Sequence, residues 1–440
     1  MSGASVVAAP VLSPPAELDV FTCPLSGINQ IEASAGTGKT WNICALYVRL
    51  LLERDLNADQ ILVVTFTKAA TAELHERIRT RLAELARAIE TGEPGGDAFV
   101  ARLFETVLAD ADAAALEQAG RRIRRALSTF DQAAIHTIHA FCQRALQEAP
   151  FAAAMPFALE LEGDDTGLRF ELAARFWRTR VEPVAAAHPA FAAWLVAHGA
   201  GPQVLDAQLT RRLKKPLAIM RFGPLGGSTA STDAAADADE RRMQAGFDEA
   251  CALWSGERER IVQLLEDAQA ALSRTTHKPE AVAAALDAWA RYFAEGDCHA
   301  APPRAALKLT ASALEKATKA KFVAPTHPFF ALADALAAAV DAAEAAHRRR
   351  WLALVAEWLE TGPATLAAAK RSRRVVSFDD LLSNLHDALV AHPWLAQVLR
   401  ARYPAALIDE FQDTDPLQFA IFERIFARGP SGPAPVFLVG

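Results

Sequence analysis

Ile31-Glu32-Ala33-Ser34-Ala35-Gly36-Thr37-Gly38-Lys39-Thr40 is the stretch on which the reading of this chain turns. Gly36 and Gly38 let the backbone turn with positive φ and approach a ligand that a Cβ would hold off. The N–H groups of Ala33, Ser34, Ala35, Gly36 and Thr37 can then converge as an anion nest at the positive end of the helix that follows. In such a loop Lys39 reaches the β- and γ-phosphates of a nucleotide and the Thr40 hydroxyl ligates Mg²⁺. The flanks agree. Ile28 to Ile31 reads as a short strand, and Trp41 to Leu52 has helical apolar spacing through Ile43, Leu46, Tyr47, Leu50 and Leu51. The spacing departs from the usual loop at one place: Ala33 stands where a first glycine is expected.

About 370 residues later comes Ala406-Leu407-Ile408-Asp409-Glu410-Phe411-Gln412-Asp413, much farther off than one βαβ unit needs. Ala405 to Ile408 reads as a buried strand. Asp409, at its carboxyl end, is expected beside the phosphate loop, where open α/β sheets bind ligands. There Asp409 would hold Mg²⁺ through water and Glu410 would take a proton from the attacking water. One active site, in two halves, with something large inserted between them, is the expectation.

The segments following the loop suggest a second surface. Ile61 to Val64 has the β-branched character of a central parallel strand. Thr67 is placed to cap a helix over Lys68 to Ile89, with Ala70, Leu74, Ile78 and Leu82 along one stripe. Hydroxyls, amides and one ring at Thr65, Phe66 and Thr67 would therefore meet at a strand end. Aromatic faces stack any base, for about 1–3 kcal/mol each, yet Phe66 suits ordinary core packing equally well. His139 reads either as a hydrogen-bonded structural residue or as a ligand, and His136 and His139 lack the neighbours of a closed metal set. Cys142 reads as a small buried hydrophobe.

Taken in order, Ala-Gly-Thr-Gly-Lys-Thr, Val63 to Ala70, Thr137 to Cys142 and Ile408 to Asp413 resemble superfamily 1 DNA helicases of the UvrD/Rep type. Within that superfamily, Ile31 to Thr40, the stretch through Leu74, Thr137 to Arg144 and Asp409 to Pro416 closely resemble RecB-type subunits, the helicase-nuclease (beta) subunits of exodeoxyribonuclease V, and Ser377 to Leu382 resembles a segment these helicases carry before the second carboxylate motif. The resemblance implies an α/β fold, a P-loop NTPase RecA-like parallel sheet forming an incomplete motor domain, with a large inserted all-helical domain. It also implies ATP and Mg²⁺ as cofactors. Lys39, Glu410 and Gln412 would act in hydrolysis, Gln412 by sensing the γ-phosphate or positioning water. Thr40 and Asp409 would hold the metal, and Thr65, Phe66, Thr67, Thr137 and His139 would lie along single-stranded DNA. Single-stranded and duplex DNA are the implied partners, with RecC-like and RecD-like subunits for a RecB type. A UvrD/Rep-type or AddA-like helicase without those subunits, or a non-catalytic DNA-binding fragment, is the alternative. Many relatives read adenine with an upstream glutamine. Here Gln30 is too close to the loop, and Phe21 to Leu25 offers no amide.

The expected organisation is a flexible tail over 1–17, the first part of the ATPase domain over 18–150, the helical insertion over 151–370, and a return to the ATPase domain over 371–440. Within the insertion, the Gly/Ser/Ala/Asp-rich stretch from Gly223 to Asp239 is expected to be a loop. The resemblance makes the insertion an arm on duplex DNA; a rigid spacer is the other reading. After Val436 to Gly440 family members continue with Asp-x-x-Gln. The second motor domain, with an arginine finger contributing on the order of 10³–10⁵ in rate, and any nuclease domain are expected beyond it. These 440 residues are thus expected to hydrolyse ATP barely and not to unwind DNA.

Composition sets bounds on this. A net charge of −7 excludes a generally basic nucleic-acid coat but not a local track. Three tracks are candidates: Arg121 to Arg125, Arg211 to Lys215 and Lys370 to Arg374. Five cysteines without a paired framework fit a reducing compartment. With no basic leader and no run of 18 apolar residues, a cytoplasmic protein without a membrane partner is expected.

Overall fold

The computed structural model describes residues 17–32, 38–149, 160–161, 163–222, 229–427 and 432–440. Its strands are β1 (Ile28–Ile31), β2 (Ile61–Thr65), β3 (Ile135–Thr137), β4 (Glu160–Leu161), β5 (Val375–Val376), β6 (Ala405–Ile408) and β7 (Val436–Val439). Five of them form one sheet in the order β1-β7-β6-β2-β3, and β4 pairs with β5 apart from it. Every pairing in the large sheet is parallel, with Ile28 opposite Val436, Ile408 opposite Leu438, Val64 opposite Ile408 and Thr65 opposite Thr137. The strands' carboxyl ends therefore share one edge, and the loops that leave Ile31, Thr65, Thr137 and Ile408 start side by side.

β2 and β6 are buried along their whole lengths because both faces of the sheet are covered, which is why they read as continuous apolar runs. Alternate residues feed two cores. Ile61, Val63, Ala405, Leu407 and Phe437 pack on one side with the helices α1 (Lys39–Glu53), α2 (Lys68–Thr91), α3 (Ala98–Thr106) and α4 (Ala113–Ser128). Leu62, Val64, Ala406, Ile408 and Leu438 pack on the other with α5 (Ile138–Glu148) and the helices Phe378–Ala391, Pro393–Arg402 and Pro416–Phe422. Gly92 stops α2: at φ 74° it takes the left-handed conformation and returns its N–H to Ala88.

The chain divides into two compact units, Met1–Asp164 with Lys370–Gly440, and Asp165–Ala369. The second is helical, with one core around Trp254, Trp289, Phe329 and Phe330 and another around Phe176, Phe191, Leu205 and Trp358. Expected tail residues 1–16 and the start of the expected insertion at 151 lie outside the described residues. Of the loop expected from Gly223 to Asp239, residues 223–228 lie outside the described residues, and the remainder needs correction, since a helix runs from Thr229 to Asp267. Its Thr229-to-Glu240 stretch holds five alanines, and alanine is the best helix former.

Candidate functional site

Of the phosphate-loop residues, Ala33, Ser34, Ala35, Gly36 and Thr37 lie outside the described residues; Gly38, Lys39 and Thr40 are placed. Gly38 caps α1 at φ 86° and ψ 26°, a left-handed conformation that costs a residue with a Cβ about 1–2 kcal/mol. The first residue of α1, Lys39, donates from Nζ to Glu410 Oε2 at 2.9 Å, across 371 positions of sequence.

Glu410 reaches that place through a reversal at the end of β6. The Asp409 N–H still continues the ladder to Val64 O at 2.9 Å. Glu410 then turns left-handed, at φ 52° and ψ 42°, a strained conformation for a residue with a Cβ. Its carboxylate also accepts from Gln412 Nε2. β7 intervenes between β1 and β6 in the sheet, yet the Lys39 and Glu410 side chains meet at the strand ends. At the end of β7, Gly440 donates to Ile31 O at 3.0 Å. A Cβ on Gly440 would lie 2.8 Å from the Gln412 backbone nitrogen, so only glycine passes there without displacing the backbone.

The two adjacent carboxylates are pushed in opposite directions. Hydrogen bonds from Lys39 and then Gln412 hold Glu410 below its ordinary value. Asp409 is raised, first by burial and then by the charge of Glu410. Its Oδ1 accepts the Glu410 N–H at 3.0 Å, and among the described residues its other oxygen has no hydrogen-bond partner. A half-buried carboxylate with an unclaimed oxygen, in the field of a second carboxylate, is a natural cation ligand.

The neighbouring strand ends carry the second group. Thr65 is buried, its hydroxyl bonded to Thr71 Oγ1 at 2.8 Å and to Thr67 O at 3.2 Å. Thr67 is exposed and caps α2, accepting from Ala70 N at 3.0 Å; Phe66 beside it is half-buried. Thr137 caps α5 by accepting from Ala140 N at 3.2 Å. His139 is half-buried and meets Phe378 edge-on, with ring centroids 5.7 Å apart.

With this geometry in view, similarity to known proteins becomes informative. The sequence matches the UvrD/REP helicase N-terminal domain family over residues 15–440. The chain belongs to that family. As a UvrD/REP helicase N-terminal domain it is 35% identical over 428 residues to the RecBCD enzyme subunit RecB of Escherichia coli (strain K12), covering 94% of this chain and 34% of the relative. Against RecB of Haemophilus influenzae it is 31% identical over 462 residues, covering 96% and 36%. The chain thus spans about a third of the length of these curated relatives, and it is a helicase N-terminal domain of RecB-like sequence.

In this helicase domain, Phe378 is a residue the sequence reading left without a role. It is 46% exposed, and the match of Ser377 to Leu382 to a family segment was the available signal. Behind it, buried Lys370 donates to Asp380 at 2.7 Å and Ser377 at 3.1 Å, which pins the start of that helix. Lys370 is thus taken up in the fold. The Arg121 track is largely paired as well, Arg121 with Glu117, Arg122 with Asp55 and Arg124 with Glu90. None of the described helices is long and apolar enough to cross a membrane.

Proposed function

We propose that this chain is the ATP-binding motor region of an ATP-dependent DNA helicase of the RecB type, acting in recombinational double-strand-break repair. Support comes above all from the Lys39–Glu410 contact, which joins the phosphate-loop helix to the carboxylate strand. Mg²⁺ and ATP fit the donors present: the Thr40 hydroxyl and the unclaimed Asp409 oxygen would hold the metal, which would offset phosphate charge in the bound nucleotide. Lys39 would leave Glu410 for the β- and γ-phosphates. Released from that ammonium, Glu410 becomes a better proton acceptor for water, with Gln412 within reach to orient it. Phosphate binding and base activation are thereby linked through one lysine.

Thr67, Thr137, His139, Phe66 and Phe378 would line single-stranded DNA, with the two threonines presenting capped helix starts to the backbone. The helical unit would bear on duplex DNA, and RecC-like and RecD-like subunits would be the protein partners. Calorimetric titration of Mg²⁺-ADP into the chain and into Lys39→Ala tests the core of the reading. Losing a charged donor to phosphate should weaken binding roughly 10- to 100-fold. Equal affinity in the two proteins would remove the role given to Lys39.

A further inference from the structure

Within the helical unit, the start of the helix Pro328–Arg373 forms the floor of a groove. Two adjoining cavities of about 640 and 580 Å³ meet there, sharing Pro328 and Ala331, and each has the ~300–1,000 Å³ size of a ligand pocket. The first is walled by the loop from Phe322 to Pro325, the second by Leu253 of the helix Thr229–Asp267. Phe322 is 52% exposed and Val323 88%. Large apolar side chains left in water along a concave apolar surface mark a place where a partner lies.

The fold holds this groove in shape. Phe330 in the floor is buried, and His327 beside it accepts the Phe329 N–H on Nδ1 at 3.2 Å while its Nε2 donates to Glu257 at 2.9 Å. A turn closes the loop, with the Phe322 N–H donated to Lys319 O at 2.9 Å, and Lys319 Nζ donates to Ala270 O at 2.7 Å.

Charge narrows the choice of occupant. Lys319 and Glu315 line the first cavity, and Lys316 and Lys321 are exposed next to them in the chain. None of the three lysines has a carboxylate partner among the described residues, so this end of the groove is cationic although the chain carries a net charge of −7. Glu249 lines the second cavity. A nucleic acid would carry phosphates past both Glu315 and Glu249 and leave the apolar floor unused. A polypeptide can set carboxylates at the lysine end and apolar side chains along the floor, as grooves that take peptides require.

We infer that this groove docks an acidic protein segment, with large apolar side chains seated along Pro328 to Ala335 and Asp or Glu residues directed to Lys316, Lys319 and Lys321. The test is fluorescence anisotropy of the chain with three labelled synthetic peptides and a duplex oligonucleotide. One peptide has a run of Asp and Glu followed by Leu and Phe; the second has Lys for every Asp and Glu; the third has Ser for Leu and Phe. The first should bind saturably and the other two at least about tenfold more weakly. Phe322→Ser with Val323→Ser should weaken the first peptide about tenfold by removing apolar area from the contact. Lys316→Glu with Lys321→Glu should weaken it by a similar factor. All four positions are exposed, so the melting temperature should stay at the wild-type value in both variants. No saturable binding of the acidic peptide, or binding undiminished in either variant, overturns the inference. So does duplex binding that falls in the lysine variant and that the peptide fails to compete, which would make these lysines a nucleic-acid track.

Discussion

Asp409 carries a tension that a single substitution exposes. Burial and the Glu410 charge raise its pKa above the ordinary 3.8, so the fold disfavours its ionised form. For a carboxyl with a raised folded pKa, that cost is fully present above the folded value and is relieved as pH falls through it toward the unfolded value. Asp409→Asn should therefore stabilise the metal-free, nucleotide-free protein at neutral pH. Solvent still reaches the group, which limits the gain to about 1 kcal/mol or less. That is about 2–4 °C in melting temperature for a unit of this size. The difference between the proteins should shrink as the buffer is taken down into the carboxyl range. A wild type more stable than Asp409→Asn at pH 7 would mean that the carboxylate is satisfied within the fold. Glu410 has the opposite sign: its stabilising pair with Lys39 is present above its unfolded pKa and is lost as pH falls through the depressed folded value.

Elements, more than side-chain partners, were legible in the sequence. β1, β2 and β6 stand where apolar runs end in chemistry-bearing residues, and β7 stands at the apolar run Val436 to Val439. Thr67 shows why the start of a helix could be read: its side chain accepts from the N–H three residues on, a purely local bond, and Thr137, read only as a DNA contact, makes the same bond. Contacts between distant segments were not readable. Nothing in the period of β7 says that it lies between β1 and β6, and nothing near His139 announces Phe378. The left-handed turn at Glu410 escaped as well, because a glutamate carries no signal for positive φ. Capping supplies a prediction at this scale. Thr137→Ala should cost about 1 kcal/mol of stability, whereas Thr137→Ser restores the cap. If Thr137 also touches DNA through its hydroxyl, fluorescence anisotropy with a single-stranded oligonucleotide should show weaker binding for the alanine variant alone. Undiminished affinity in Thr137→Ala would confine the residue to capping.

Across the whole molecule, chemistry and bulk are segregated. The phosphate and strand-end residues belong to the sheet unit, and the helical unit keeps its own cores. Trp289 is fully buried, stacked on Phe293 with centroids 5.3 Å apart. Trp289→Ala should cost about 3–5 kcal/mol locally, visible as an earlier unfolding transition, with Mg²⁺-ADP affinity unchanged at temperatures below that transition. A large loss of nucleotide binding under those conditions would mean that the helical core supports the site.

The central claim is that two stretches 371 positions apart, measured from Lys39 to Glu410, act on one nucleotide. ADP affinity measured with and without Mg²⁺, in wild type and in Asp409→Asn, tests it most directly. The account predicts that Mg²⁺ tightens ADP binding in the wild type and that most of this gain disappears in Asp409→Asn. An undiminished Mg²⁺ effect in that variant would contradict it.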